Sequence, residues 1–307
     1  MSYPVTSKWL DPSVRAEFVA TDTSDGVALH GAYYVSEASK PHDLALLAYH
    51  GSGGNFYAGP CGFLAPGVAS RGYVGLSMNL RDHGRYHDRS TFEPCELDIA
   101  AAVSFLKSRG LERIVLFGHS LSVTQVAYYL ARNPDPAVVG VIMSGGHWDL
   151  AGDKWQAWLK IRPDDPHGGY DEMIARCQEL VARGRGDELI IVPWWMPDPD
   201  NWNPDHYRPV AAKTFLSYYG PDSNDRACKW IGQIRVPVYI VTHSVVDTFA
   251  SPDMAEKLRA GATAAPFVDF VMVEGSGHFY KGYEQKLVDI VASWLDKIRT
   301  QVPAGAR

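Results

Sequence analysis

Short apolar runs recur along the chain and are separated by segments of mixed polarity. Six of these runs are rich in β-branched or aliphatic residues: 44–50, 74–80, 113–119, 138–145, 236–243 and 266–275. Runs that are apolar on both faces are typical of strands in the interior of a parallel sheet. The pattern therefore predicts six buried strands.

Helical spacing of apolar residues is found between most of these runs. The clearest segments are residues 93–110, 122–134 and 282–299. A more polar stretch over residues 17–35 contains the turn sequence Ser-Asp-Gly and predicts an antiparallel hairpin at one edge of the sheet. Alternation of strand and helix predicts an α/β fold with a mostly parallel central sheet flanked by helices.

The alternation stops between about residues 148 and 228, where tryptophan, proline and aspartate are frequent. We predict that residues 148–228 form an inserted, largely helical cap over the sheet. The core would then have a first part, residues 1–147, and a second part, residues 229–307. Six tryptophans fall in the insertion: Trp148, Trp155, Trp158, Trp194, Trp195 and Trp202.

The composition narrows the class of protein. The chain of 307 residues is 46% hydrophobic and 21% charged, as is usual for a soluble globular protein. A formal net charge of −6 gives no basic surface, so we do not expect nucleic acid as a partner. The first residues lack the features of a signal peptide, and no apolar run is long enough to cross a bilayer. We therefore expect a cytoplasmic protein that does not bind membranes. The oligomeric state stays open, a homodimer included.

Residues 116–122, LFGHSLS, join one predicted strand to one predicted helix. A turn of this kind exposes a serine nucleophile in the pattern G-x-S-x-G, with small residues where strand and helix backbones approach each other. Gly118 and Ser120 fit the pattern, and Ser122 stands where the second glycine is expected. The alternative is an ordinary helix start at which Ser120 or Ser122 is only an N-cap.

A serine hydroxyl becomes nucleophilic when a histidine takes its proton and a carboxylate orients that histidine. His278 lies in a Gly-Ser-Gly-His loop after one predicted strand, and Asp247 lies just after another. The chain order Ser120, Asp247, His278 is the one expected for a nucleophile on a strand-to-helix turn. Asp149 is the reserve candidate for the carboxylate.

Acyl transfer also needs backbone N–H groups that stabilise an oxyanion. We expect one from Leu121 and the other from the glycine-rich loop 50–55, with Ser52 as donor and Gly53 as the alternative. His50, at the end of a predicted strand, would shape this loop. No phosphate-binding or dinucleotide-binding motif and no metal-ligand spacing is present, so we expect no cofactor and no catalytic metal.

Five motifs therefore follow one another in a fixed order: HGSGGN (50–55), NLRDHGRY (79–86), GHSLS (118–122), VVD (245–247) and GSGH (275–278). Together they resemble the α/β-hydrolase superfamily, over residues 44–145 and 229–299. The resemblance implies an eight-stranded, mostly parallel sheet, a triad of Ser120, Asp247 and His278, and a lid where the tryptophan-rich insertion falls.

These features predict a cofactor-independent serine hydrolase that cleaves a carboxylic ester or lactone through an acyl-enzyme. Aromatic residues near the site would bind a fairly apolar or aromatic small molecule. The candidates are Phe56, Tyr57, Trp155, Trp158, Trp194 and Trp195. A C–C bond hydrolase or a thioesterase would use the same triad, since fold does not select among these reactions. Two alternatives from other classes are a non-catalytic small-molecule receptor and an interaction protein with exposed tryptophans.

Overall fold

A computed structural model of the protein describes residues 11–37, 44–154, 169–193, 207–246 and 250–301. The strands in these ranges are Val14–Asp22 (β1), Ala28–Ser36 (β2), Ala45–Tyr49 (β3), Val74–Met78 (β4), Ile114–His119 (β5), Val138–Ser144 (β6), Leu189–Pro193 (β7), Tyr207–Ala211 (β8), Val238–His243 (β9) and Val268–Val273 (β10). The helices are Gly59–Ala69 (α1), Cys95–Ser108 (α2), Ser122–Arg132 (α3), Tyr170–Ala182 (α4), Ala212–Tyr219 (α5), Ala227–Trp230 (α6), Pro252–Gly261 (α7) and Glu284–Gln301 (α8). Short 3₁₀ turns lie at Gly84–Asp88 and Ile231–Gln233, and a π-helical turn lies at Leu150–Lys154.

Eight strands form one sheet in the order β1-β2-β4-β3-β5-β6-β9-β10. The strands from β4 to β10 in this order pair in parallel, whereas β2 pairs antiparallel with both β1 and β4. The predicted mostly parallel sheet and its antiparallel edge hairpin are confirmed. Each of the six predicted buried strands corresponds to a strand of this sheet.

The core has two layers because the central strands are apolar on both faces. In β3, Leu47 and Tyr49 pack with α2, α3 and α7, while Leu46 and Ala48 face the opposite layer with α1 and α8. This division follows from the two-residue period of side chains along a strand. Each fully buried leucine contributes about 1.5–3 kcal/mol relative to an exposed one. Truncating Leu47 to alanine is therefore expected to cost about 2–5 kcal/mol.

Helix α1 was not among the predicted helices, since its sequence is rich in glycine and proline. Pro60 lies in its first turn, where a missing N–H costs nothing, but Pro66 lies inside it. Close packing explains the composition. A Cβ at Gly67 would lie 2.5 Å from a methyl of Val288 on α8, and one at Gly75 of β4 would lie 2.2 Å from the Ala65 carbonyl oxygen. The helix therefore approaches both neighbours closely.

The segment between β6 and β9 contains the predicted insertion. Its described residues form α4, α5 and α6 together with an antiparallel pair of strands, β7 and β8, so this part is less purely helical than predicted. Buried side chains of α4, β7 and α5 pack against Leu121, the N-cap residue of α3, and against Tyr128 inside that helix. They also pack against Phe92, which precedes α2. Within the described ranges, no helix is both long and apolar enough to cross a membrane.

Candidate active site

Ser120 occupies the turn between β5 and α3 and has a positive φ of 57°. An L-residue in this left-handed conformation is strained by about 1–2 kcal/mol. The turn is held by the Ser120 amide, which donates to the carbonyl oxygen of Ser144 at 2.9 Å. A Cβ at Gly118 would lie only 2.4 Å from the Ser122 carbonyl oxygen, so glycine is required there. Leu121 is the N-cap residue of α3 and no side chain caps the helix, so neither Ser120 nor Ser122 is its N-cap. The assignment of Ser120 as a nucleophile stays a prediction.

Ser122, which replaces the second glycine of the pattern, is fully buried without leaving its hydroxyl unpaired. The hydroxyl lies within hydrogen-bond reach of the His50 carbonyl oxygen and of Gln125 Oε1, the latter at 2.9 Å. Helix α3 is thereby connected to the loop that follows β3. The serine thus provides a bond between two parts of the site that glycine would lack.

The loop after β3 lies directly against Ser120. A Cβ at Gly51 would be 2.7 Å from the Ser120 Cβ and 3.2 Å from its Oγ. Within the described part of the chain, neither the Ser52 nor the Leu121 amide N–H has a hydrogen-bond acceptor. Both amides are therefore available to a substrate oxygen. We keep their assignment to an oxyanion hole as a prediction.

His50 holds this loop in shape. Its Nδ1 donates to the Gly51 carbonyl oxygen at 2.8 Å, and its Nε2 accepts the Leu80 amide at 3.1 Å. Burial lowers the pKa of His50, so the neutral ring with one donor and one acceptor fits both contacts. Asn79, at the end of β4, accepts the Phe56 amide at 2.8 Å and fixes the far end of the loop.

The structure brings His278 to the same turn. A Cβ at Gly145, next to Ser144, would lie 3.3 Å from His278 Nδ1. The His278 ring centroid is 4.7 Å from that of His119, the residue before Ser120, and 5.3 Å from that of His243. Glycine with a φ of 58° at position 145 leaves space for the imidazole. His278 therefore lies beside His119 and Gly145, which directly adjoin Ser120 and its hydrogen-bond partner Ser144.

Tyr280 supports the His278 loop and was not identified from the sequence. It is fully buried, has a positive φ of 55°, and its hydroxyl lies 2.9 Å from Ser144 Oγ. Ser144 therefore contacts the Ser120 turn through its main chain and the His278 loop through its side chain. An isolated tyrosine in a loop carries no sequence signal for such a role.

Asp247, the expected carboxylate of the triad, lies outside the described residues. The described residues before it are joined to the histidine loop. The Val245 amide donates to the Ser276 carbonyl oxygen at 3.1 Å, and the Gly275 amide donates to Ser244 Oγ at 2.8 Å. The loops after β9 and β10 are therefore adjacent, as the proposed pairing of aspartate with histidine requires.

Asp149, the reserve carboxylate, has other partners. Its Oδ1 accepts the Gly152 amide at 2.8 Å, and its Oδ2 pairs with Arg226 at 2.5 Å. These bonds hold the segment that follows β6 to α6. The contacts of Asp149 are those of a structural ion pair.

The candidate substrate-binding residues have different surroundings. Phe56 packs with its ring centroid 6.1 Å from that of Phe18 and 5.0 Å from that of Tyr57, and Tyr57 is 68% exposed. Trp155, Trp158, Trp194 and Trp195 lie outside the described residues. An exposed residue that sequence reasoning missed is Phe279, whose ring centroid is 5.0 Å from that of His278.

The charged groups of the described site do not form a metal centre. In the parts of the chain that the structure describes, no group of three or more His, Cys, Asp or Glu side chains is arranged to hold a metal ion. The arrangement near Ser120 consists instead of a strained serine, a neighbouring imidazole and free amides. These are the parts that acyl transfer uses.

Comparisons with known proteins agree with this fold. Residues 27–280 match the profile of a family described as "Alpha/beta hydrolase family". No curated protein sequence matches the chain significantly. Among solved structures, the hypothetical protein PA2218 from Pseudomonas aeruginosa is 17% identical with a TM-score of 0.69, covering 97% of this chain and 99% of that chain.

Two further similar structures are those of an esterase and of a protein named Est1E. The esterase Pf2001 from Pyrococcus furiosus is 15% identical with a TM-score of 0.63, covering 97% of this chain and 96% of its own. Est1E from Butyrivibrio proteoclasticus is 15% identical with a TM-score of 0.61, covering 92% of this chain and 98% of its own. At these identities the likeness concerns the fold.

Proposed function

The chain belongs to the alpha/beta hydrolase family, and we propose that it is a cofactor-independent serine hydrolase with Ser120 as its nucleophile. The observation that carries the proposal is the backbone of Ser120. Ser120 has a φ of 57° and is strained without any evident structural benefit, and the preceding residue, His119, packs against the His278 imidazole. Strain at a single polar residue in a site is explained when the conformation exposes its hydroxyl for reaction.

In the proposed mechanism, His278 takes the proton of Ser120 while Ser120 Oγ attacks the substrate carbonyl carbon. The amides of Leu121 and Ser52 donate to the oxyanion that develops. Asp247 orients the imidazole and stabilises its charged form. The leaving alcohol takes the proton from His278, and water activated by His278 then releases the acyl group.

We propose a carboxylic ester or lactone of a fairly apolar or aromatic small molecule as the substrate. Phe279 supports the apolar class because its exposed ring lies next to His278. Val245 and Val246, on the adjoining loop, are 53% and 69% exposed. Exposed apolar side chains grouped near a reactive centre mark a surface for an apolar ligand. The esterase named among the similar structures is compatible with this bond type.

The proposal is tested by turnover of a panel of nitrophenyl esters, lactones and thioesters of increasing apolar chain length. We expect ester or lactone hydrolysis that is lost in Ser120→Ala and His278→Ala. A preference for thioesters would favour the thioesterase alternative. Absence of turnover by the folded wild type, with tight retention of one compound, would reject the hydrolase and favour a receptor.

A further inference from the structure

A second serine near the site also contacts a buried histidine. Ser52 is exposed, and its Oγ lies 2.9 Å from Nε2 of His87, in the 3₁₀ turn after β4. His87 is only 2% exposed. This contact is separate from the Ser52 amide, which points to no acceptor in the described chain. The hydroxyl and the amide of one residue therefore have different surroundings.

The other nitrogen of His87 faces a carboxylate. Its Nδ1 lies 3.6 Å from Oδ2 of Asp82, which is also 2% exposed. Burial alone would raise the pKa of Asp82, but the contacts with His87 lower it to about 2. Asp82 is therefore ionised at neutral pH. An ionised carboxylate favours the tautomer with the proton on Nδ1, which leaves Nε2 as an acceptor for the Ser52 hydroxyl.

The carboxylate is itself fixed in place by neighbouring side chains. Asp82 Oδ2 accepts Gln125 Nε2 and the Tyr218 hydroxyl, each at 3.0 Å. Within the described residues, Asp82 Oδ1 and His87 Nδ1 are buried and have no hydrogen-bond partner. Two unpaired polar atoms in one buried cluster are costly, which is unusual for a purely structural network.

We propose that Ser52, His87 and Asp82 form a second nucleophilic relay that accepts acyl groups from activated esters. Serine, base and orienting carboxylate stand in the order that activates a hydroxyl, with the serine exposed and the other two residues buried. Gly51, the residue before Ser52, lies against Ser120. Ser52 therefore lies near the proposed site, but its base is His87 and not His278.

The relay reaction forms one ester bond and breaks another. Ser52 Oγ attacks the acyl carbon of an activated ester while its proton passes to His87 Nε2. The bond from the acyl carbon to the leaving oxygen then breaks, and the leaving alcohol takes the proton from His87. A sulfonyl fluoride reports the same attack, because a Ser52 oxygen–sulfur bond forms, fluoride leaves and His87 takes the proton.

The test treats Ser120→Ala protein with phenylmethanesulfonyl fluoride and locates the adduct by peptide mass spectrometry. We expect a sulfonyl group on the peptide that contains Ser52. The additional substitution His87→Gln should slow its formation about 100-fold, since a positioned base contributes factors of this size. His83→Gln is the matched control. His83 lies on the same loop but its Nδ1 contacts the Leu80 carbonyl oxygen, so the rate should not change.

A second arm covers the case in which His87→Gln does not fold. The Tyr219 hydroxyl lies 3.4 Å from His87 Nε2 and competes with Ser52 for that acceptor. Adding Tyr219→Phe to Ser120→Ala should therefore keep or increase the labelling. No Ser52 adduct in folded Ser120→Ala, or equal rates with and without His87, would overturn the relay. Neither result bears on the Ser120 mechanism, because that mechanism is tested separately by labelling of Ser120 in the wild-type protein.

Discussion

The Ser120 amide donates to the Ser144 carbonyl oxygen at 2.9 Å, and this bond connects the strained Ser120 turn to the end of β6. The next residue, Gly145, adjoins the His278 ring, and the Ser144 hydroxyl contacts Tyr280 in the histidine loop. One strand end therefore sets the relative position of serine and histidine. The predictions below follow from this arrangement and from the buried carboxylate of Asp82.

Gly118→Ala should damage both stability and activity. The new Cβ would lie 2.4 Å from the Ser122 carbonyl oxygen, a main-chain atom that cannot move alone. We expect a loss of about 1–3 kcal/mol in the free energy of unfolding. A displaced Ser120 should lower kcat by about 100-fold. Chemical denaturation and ester hydrolysis measure both effects.

Gly277→Ala is the stability control for this experiment, since a Cβ there meets nothing within 4 Å. Its unfolding midpoint should equal that of the wild type. Equal midpoints for Gly118→Ala and the wild type would contradict the packing described at the Ser120 turn.

Ser120→Gly should be more stable than Ser120→Ala. Alanine keeps the strain of a side chain at a φ of 57°, whereas glycine adopts this conformation without steric cost. Relief of about 1–2 kcal/mol is partly offset by the greater entropy of glycine in the unfolded chain, which leaves about 0.5–1 kcal/mol. Thermal unfolding of the two inactive variants compares them directly, and a more stable Ser120→Ala would argue against strain.

Tyr280→Phe should weaken the link between β6 and the histidine loop. The substitution removes the hydroxyl that lies 2.9 Å from Ser144 Oγ inside the protein. We expect a double-mutant cycle with Ser144→Ala to give a coupling of about 0.5–1.5 kcal/mol. Additive effects in that cycle would show that the two hydroxyls do not interact.

Asp82 should make the free energy of unfolding depend on pH in the acid range. Its folded-state pKa of about 2 lies below the ordinary value of 3.8, so its contribution is complete above about pH 4 and is lost as the pH falls towards 2. The shift corresponds to about 2 kcal/mol. Asp82→Asn should therefore flatten the acid side of the unfolding profile between pH 4 and 2. An unchanged slope would mean that the carboxylate is not held in its ionised form.

The sequence allows prediction of the sheet because its central strands bury both faces. Leu46 and Leu47 face opposite layers, and such a run has few other stable environments. Ser120 and His278 could be selected as candidates from the sequence because each lies in a short loop after a buried strand, and their catalytic roles stay predictions. Glycine and small residues surround Ser120 because the backbones of the strand and the helix approach each other closely there.

Other features depend on contacts between distant parts of the chain. Helix α1 forms despite its glycine and proline content, because it is stabilised by tertiary packing such as that of Gly67 against Val288. The bond from Ser122 to the His50 carbonyl oxygen spans 72 residues, and the contact of Tyr280 with Ser144 spans 136. No local pattern encodes such pairs. The antiparallel pair of β7 and β8 is likewise not predicted from the sequence, which indicates a largely helical segment there.

The most direct test of the central claim is mass spectrometry of the protein after incubation with a fluorophosphonate, with the modified peptide identified. We predict rapid phosphonylation of Ser120 in the wild type, no phosphonyl group on that peptide in Ser120→Ala, and much slower labelling of Ser120 in His278→Ala. A folded wild type in which Ser120 stays unmodified would contradict the assignment of Ser120 as an activated nucleophile.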